Sequence, residues 1–366
     1  MVKNGRSNGA APNLRAEYIG RHGLLLQGDC LQLLAKMKEG TVDLAFADPP
    51  FNLNKTYEIR DFNDNMETEA YRTWCRAWLL GMTRVLKPGG ALFLYHWPKW
   101  LVDLGSWLNG VPALEYRSWI ALKMKSGFPI RGRLHPAHYG LLHYTKKGAK
   151  PKFHVVRARS PKCRHCGKLI RDYGGYRKKY SKYEDEGDIW IQISDFWEDS
   201  RPASHEKLRR TKLNELPLLV PERAILLATN PGDVVLDCFA GGGSTLHAAE
   251  QLGRNWIGID IASCKSTLRR IKTFMDPHEK VMPPKGIQAC FESDFVRSVL
   301  KIDPESPTRP INRVRRMDSS AEKFKSKSRI FELKAVGDAA HPKGPGNRLC
   351  KQPPLRAITA SANSKR

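Results

Sequence analysis

Two short stretches of this 366-residue sequence bring together residue types able to do chemistry on a small polar group. The first is Asp48-Pro49-Pro50-Phe51, which closes the apolar run Val42-Asp-Leu-Ala-Phe-Ala47. Proline rings lock φ, so the Asp48 carboxylate and the Pro49 carbonyl are held as two acceptors that can aim at one amino group. Phe51 offers a flat face beside them. The second stretch is Asp237-Cys238-Phe239-Ala240-Gly241-Gly242-Gly243, followed by Ser-Thr. It follows an apolar strand and opens a helix, so backbone can approach a ligand without Cβ interference and the helix N-terminus can face an anion. Asp260 ends the strand that comes next after the glycines, where an acidic side chain can take both ribose hydroxyls. Alone, Asp-Pro-Pro is often only a strand stop and a glycine run only a tight turn; the strand context and the spaced acid favour a nucleotide-type site. Leu246 stands where a dinucleotide fingerprint needs its third glycine, and no Gly-Lys-Ser/Thr follows, which disfavours NAD and ATP.

Both stretches need strands to carry them, and the hydrophobic pattern supplies these. Residues 23–27, 41–50 (stopped by the two prolines), 91–95, 116–124, 139–145, 233–239 and 255–261 read as strands. Between them, helical spacing appears at 31, 34 and 37, at 71, 74, 78, 82 and 85, from Pro217 to Ala228, after Gly243 and from Ser263. Continuous apolar strands alternating with helices predict an α/β fold with a parallel sheet covered on both faces. In such sheets, ligands sit outside the carboxyl ends of the strands, where both stretches lie.

The charge is uneven. Residues 122–185 carry 18 Lys+Arg against 3 Asp+Glu, and residues 309–366 carry 15 against 4, which accounts for the formal +25. The remaining body is close to neutral, so the excess points to a polyanionic partner held by particular segments. In 122–185 the charges interleave with Phe128, Phe153, Tyr173, Tyr176, Tyr180 and Tyr183, a mixture suited to phosphates and bases. The stretch 309–366 reads as a disordered basic tail. No membrane span or secretory leader is expected, and the eight scattered cysteines suggest a reducing, cytoplasmic setting; nucleoid association is expected from the polyanionic partner.

The two motifs together resemble those of the amino-group DNA methyltransferases, whose catalytic motif is (D/N/S)-P-P-(Y/F/W) and whose cofactor motif is D-P-F-x-G-x-G. Cys238 replaces the proline of the latter. The catalytic motif at 48–51 comes well before the cofactor motif at 237–243, an order that resembles the circularly permuted β class. The resemblance covers roughly 22–275. It implies a Rossmann-like, S-adenosylmethionine-dependent methyltransferase sheet, circularly permuted, with an inserted basic target-recognition region. It further implies that Asp237, Phe239, Ala240, Gly241, Gly243 and Asp260 bind S-adenosylmethionine, with Asp29 near the adenine and Asn214 at the methionine end. Asn214 stands for the threonine, and Leu216 for the lysine, of the family's H-P-T-x-K-P. Asp48, Pro49, Pro50 and Phe51 would form the catalytic turn on a flipped base. The chain contains no Pro-Cys dipeptide, the nucleophile signature of cytosine-C5 enzymes. Adenine N6 is the expected acceptor because Asp heads the turn; cytosine N4 stays open, and an RNA methyltransferase or an inactive DNA-binding scaffold ranks below both.

The expected organisation is a disordered N-terminus (1–20), a catalytic half (21–147), a target-recognition region (148–212), a cofactor-binding half (213–300) and the tail (301–366). Cys163-Arg-His-Cys166-Gly has the form of half a zinc site; His154 or His205 would complete it, and ordinary thiols are the equal alternative. Double-stranded DNA is the expected partner, with a separate restriction endonuclease as a candidate. Oligomeric state is not legible.

Overall fold

The computed structural model describes residues 14–53, 64–123, 131–132, 134, 137–159, 184–185, 188–198, 216–262, 264–271 and 284–300. All lie in one unit, Met1–Phe331. Strands are β1 (Arg15–Ile19), β2 (Gly23–Gln27), β3 (Val42–Ala47), β4 (Leu86–His96), β5 (Leu114–Lys123), β6 (His138–Lys146), β7 (Arg157–Arg159), β8 (Glu184–Asp185), β9 (Asp188–Gln192), β10 (Phe196–Trp197), β11 (Val234–Asp237) and β12 (Asn255–Asp260). Helices are α1 (Cys30–Lys36), α2 (Thr68–Val85), α3 (Pro98–Asn109), α4 (Leu219–Ala228), α5 (Ser244–Gln251), α6 (Lys265–Ile271), α7 (Lys285–Gln288) and α8 (Ser293–Val299).

Nine strands form one sheet in the order β1-β2-β12-β11-β3-β4-β6-β5-β10. β2, β12, β11, β3 and β4 run parallel, while β6 lies antiparallel between β4 and β5. Early strand β2 therefore pairs with late strand β12, from Gly23↔Trp256 to Gln27↔Asp260, as the permuted order demands. From β11 the chain continues outward to β12, and from β3 it continues the other way to β4. The β11/β3 boundary is thus the topological switch point, where open α/β sheets leave a crevice for ligands.

Alternation along the strands builds two cores. Leu24, Leu26, Ala45, Ala47, Leu92 and Leu94 face α1, α2 and α3, together with Phe291 and Phe295 from the late helical segment. Leu25, Leu44, Phe46 and Phe93 face the other layer, against Val220, Ala224 and Ile225 of α4 and Leu246, Ala248 and Ala249 of α5.

Two segments differ from expectation. Part of the N-terminal segment 1–20 is ordered: β1 pairs antiparallel with β2, and Tyr18 stacks on Trp256 with centroids 5.9 Å apart. Pairing with β2 and the contacts of Leu14, Ala16 and Ile19 with the core also hold this edge strand, which is too short for a period to stand out. The 148–212 region, in turn, is not wholly separate from the main sheet. Its β10 pairs with β5, and Trp197 is buried beneath the Arg223 guanidinium, 5.2 Å from the ring centre. β7, β9 and β8 form a small sheet of their own. Among the described residues no helix is long and apolar enough to cross a membrane.

Candidate active site

β3 and β11 pair in parallel with Asp237 opposite Phe46, so the chain leaves both strands side by side at the switch point. Asp48 and Pro49 follow β3 at once, and Cys238 and Phe239 follow β11. Asp48 is half-buried and Pro49 buried. The Asp48 charge helps raise the pKa of the Tyr95 and Tyr139 phenols, though burial is the larger cause in each. The Phe51 ring stacks on His96 at 4.6 Å and tilts against Tyr95 at 5.7 Å and Tyr139 at 6.0 Å.

The turn is held from two sides by residues that the motif itself does not contain. Asn52 adopts the left-handed conformation, φ 55°, which Asn tolerates better than most residues. Its N–H and that of Leu53 donate to the carboxylate of buried Asp64, at 2.9 and 3.2 Å, and its side chain exchanges hydrogen bonds with the Met66 backbone. On the other side the Tyr71 hydroxyl donates to the Pro50 carbonyl. Tyr71 opens an α2 stripe that continues through Trp74 and Trp78, and those two rings meet Phe239 edge-on at 5.7 and 5.0 Å. One helix face thus touches both loops.

In the glycine-rich turn, Gly241 has φ 48° and its N–H donates to Asp260 at 2.6 Å. A Cβ there would meet nothing nearer than the Phe239 carbonyl at 3.7 Å, so its glycine is required by conformation, with open space left above. Gly243 caps α5 at φ 77°, and there space is limiting: a Cβ would lie 2.9 Å from Thr267 Cγ2. Thr267 also donates to the Gly241 carbonyl at 2.6 Å. Asp260 accepts a second backbone N–H, from Ala262 at 2.7 Å, and burial raises its pKa. Asp237 is buried, accepts from Phe239 N–H at 2.9 Å and bonds Thr245. Burial pushes its pKa up to about 6, against those hydrogen bonds. Ala240 is buried, its N–H on the Ile259 carbonyl.

Asp29 lies at the end of β2, beside the end of β12, where Gly28 N–H donates to the Asp260 carbonyl. One of its oxygens caps α1, accepting from Leu31 and Gln32 N–H; the sequence showed the acid without its capping role. Leu216 is buried and its carbonyl accepts from Ser244 Oγ at 3.0 Å, tying the segment before α4 to α5. Asn214, Cys163 and Cys166 lie outside the described residues, as does His205. Among the described residues no group of three or more His, Cys, Asp or Glu side chains is arranged to hold a metal ion. Sequence reading missed Tyr71 and Trp74 as site residues because their helical period signals only a buried face, and missed Asp64 and His96 because neither belongs to a pattern.

Residues 42–267 match the family model described as DNA methylase, of the N6/N4 methyltransferases. Over 251 residues the chain is 44% identical to the Type II methyltransferase M.BamHI of Bacillus amyloliquefaciens, covering 68% of this chain and 57% of that protein. It therefore spans little more than half the length of that relative. It is 30% identical over 237 residues to the Type II methyltransferase M.HpaI of Haemophilus parainfluenzae, covering 65% of this chain and 69% of that one. Among solved structures, the PvuII DNA methyltransferase, a cytosine-N4-specific enzyme, overlays with a TM-score of 0.53 at 17% identity. The match covers 79% of this chain and 96% of that one, and it shows a shared fold.

Proposed function

The chain belongs to the N6/N4 DNA methylase family, and from that premise we propose that it transfers the methyl group of S-adenosylmethionine to the N6 amino group of adenine at a specific site in double-stranded DNA. The observation that carries this reading is the in-register departure of the Asp48 turn and the Asp237–Gly243 turn from adjacent parallel strands at the switch point. Methyl transfer needs a donor cradle and an amine clamp as neighbours, and that adjacency supplies them.

The residues present fit the cofactor. Open space above Gly241, the Gly241–Gly243 backbone and the Asp260 carboxylate at the end of β12 suit a nucleoside. Asp237 brings further negative charge near a cationic sulfonium, and Asp29 at the end of β2 is left to the adenine side. When bound, S-adenosylmethionine supplies an electrophilic methyl group. The chain's own task is the amine, whose lone pair is delocalised into the base. Hydrogen bonds from the amine to the Asp48 carboxylate and the Pro49 carbonyl draw that lone pair out of conjugation and favour the positive charge that develops on nitrogen. Phe51 covers one face of a base taken out of the stack. Asp48 accepts the proton that the methylated nitrogen sheds, and no covalent bond to the protein forms.

Cytosine N4 is the second reading, because the same two acceptors serve that amine and the PvuII enzyme that shares this fold is cytosine-N4-specific. A separate endonuclease reading the same site is the partner that fits relatives named as Type II methyltransferases. The test is mass spectrometry of nucleosides from unmethylated DNA incubated with protein and S-adenosylmethionine. N6-methyladenine is expected; N4-methylcytosine would move the acceptor and keep the chemistry, while methylation of RNA alone would overturn the DNA reading. Asp48→Ala should lower the transfer rate by about a thousandfold and leave cofactor binding within a few-fold of the parent protein.

A further inference from the structure

We propose that His96 and Tyr71 form a directional hydrogen-bond chain that orients the catalytic turn, which makes both of them positioning residues for methyl transfer; the assignment rests on the reading of that turn given above. The argument begins with the torsions the sequence leaves free. In Asp48-Pro49-Pro50-Phe51 both proline φ angles are locked by their rings. Asp48 and Pro49 each precede a proline, so their ψ angles are confined to extended values. The first soft torsion is therefore ψ of Pro50, which swings the Pro50 carbonyl and the Phe51 ring relative to the two acceptors. The Tyr71 hydroxyl donates to that carbonyl.

A hydroxyl has one proton to give, and His96 directs it. The imidazole is fully buried at the end of β4, and burial holds its pKa down at about 3, so it is neutral with a single N–H. Nδ1 accepts the Trp97 backbone N–H at 2.8 Å, which places the proton on Nε2, 2.7 Å from Tyr71 Oη. Tyr71 Oη accepts there and donates to Pro50, with the buried Cys75 thiol, one turn along α2, as a further hydrogen-bond neighbour of the Tyr71 side chain. The chain then runs one way: Trp97 N–H to His96, His96 to Tyr71, Tyr71 to Pro50. The same imidazole stacks on the Phe51 ring, so it fixes the turn on both sides of the free torsion. Trp100 packs on Tyr71 with centroids 4.5 Å apart, which limits movement of the phenol.

The experiment compares the parent chain with Tyr71→Phe, His96→Leu and His96→Gln. It reads single-turnover methyl transfer to unmethylated plasmid DNA, the dissociation constants for S-adenosylmethionine and DNA, and melting temperature. Tyr71→Phe and His96→Leu should each slow transfer ten- to a hundredfold with both dissociation constants within twofold of the parent. Their double variant should be no slower than the worse single. His96→Gln, which keeps a donor and an acceptor, should regain most of the rate. Independently of activity, the ¹⁵N spectrum of the parent should show His96 neutral and protonated on Nε2. Transfer by Tyr71→Phe within twofold of the parent, a rate loss that tracks cofactor or DNA affinity, or an Nδ1-protonated His96 would overturn the chain. A parent protein that methylates no DNA would instead overturn the methyltransferase reading on which the chain rests.

Discussion

A carboxylate enclosed by protein stays ionised only if donors or a cation stand in for water. Asp237 has the Phe239 N–H and Thr245, and these do not offset burial, since its pKa still rises to about 6 from 3.8. The folded apo-protein therefore holds more protons than the unfolded chain between about pH 4 and 6. This contribution to stability is fully present below pH 4 and is lost as pH rises through 6. A sulfonium ligand reverses the preference, because it favours the ionised carboxylate. Affinity for S-adenosylmethionine should accordingly be flat above pH 7 and fall about tenfold by pH 5, one unit below the apo pKa. Binding near pH 6 should release a fraction of a proton, read by calorimetry in buffers of different ionisation enthalpy. Equal affinity at pH 5 and pH 7.5 would show that Asp237 does not face the cofactor's charge. Asp260, raised by burial in the same direction, would steepen the fall.

Helix α5 meets strand β12 through an exchange of roles. In a dinucleotide fingerprint the third glycine lies on the helix and permits close packing on the strand; here the helix carries buried Leu246 and the strand carries Gly258. A Cβ on Gly258 would lie 2.5 Å from Leu246 Cδ1. Gly258→Ala should then cost about 1–3 kcal/mol by overpacking, and Leu246→Ala alone about 2–5 kcal/mol by opening a cavity. The double variant should be more stable than the sum of the two implies, by more than about 0.5 kcal/mol in a urea denaturation cycle. Strict additivity would mean the two do not touch. This contact also marks where the sequence stops being legible. Leu246 appeared only as a departure from a pattern, because the compensating Gly258 sits outside the motif, in the middle of an otherwise ordinary strand. The seven strands β2 to β6, β11 and β12, most of the helices, the two turns and Asp260 were legible, since alternation, prolines and glycines are local signals. Tyr71 reaching Pro50, and Trp74 and Trp78 reaching Phe239, were not, because helical periodicity reports which face is buried and not what it meets. β10 was missed because it joins the sheet through only two residues, Phe196 and Trp197, and β1 because its five residues are too few for a period to stand out.

Among the described residues, ion pairs show which positive charge serves the fold. Lys152 lies within the basic stretch 122–185, yet its ammonium bridges Asp43 at 2.9 Å and Asp233 at 2.5 Å. Asp43 also takes Lys87 at 2.7 Å and the Val234 N–H at 3.0 Å. Burial alone would raise the Asp43 pKa, but these partners outweigh it and hold the carboxyl below its usual value. This cluster ties β3, β4 and β11 together at the end of the sheet opposite the two turns, so Lys152 serves the fold. Lys152→Ala should destabilise the protein by about 1 kcal/mol, since the lysine is partly exposed and Asp43 keeps other partners. It should leave the salt dependence of DNA binding unchanged. The stretch 309–366, with 15 basic residues against 4 acidic, lies outside the described residues, and its composition suits phosphate contacts. Each phosphate it neutralises adds close to one to the slope of log affinity against log salt. Removing 309–366 should flatten that slope by several units and weaken binding to all DNA sequences alike, because phosphate contacts position a protein without reading bases. If the deletion leaves the slope intact while Lys152→Ala flattens it, the assignment is inverted, and the sheet-end cluster would be the surface that DNA contacts.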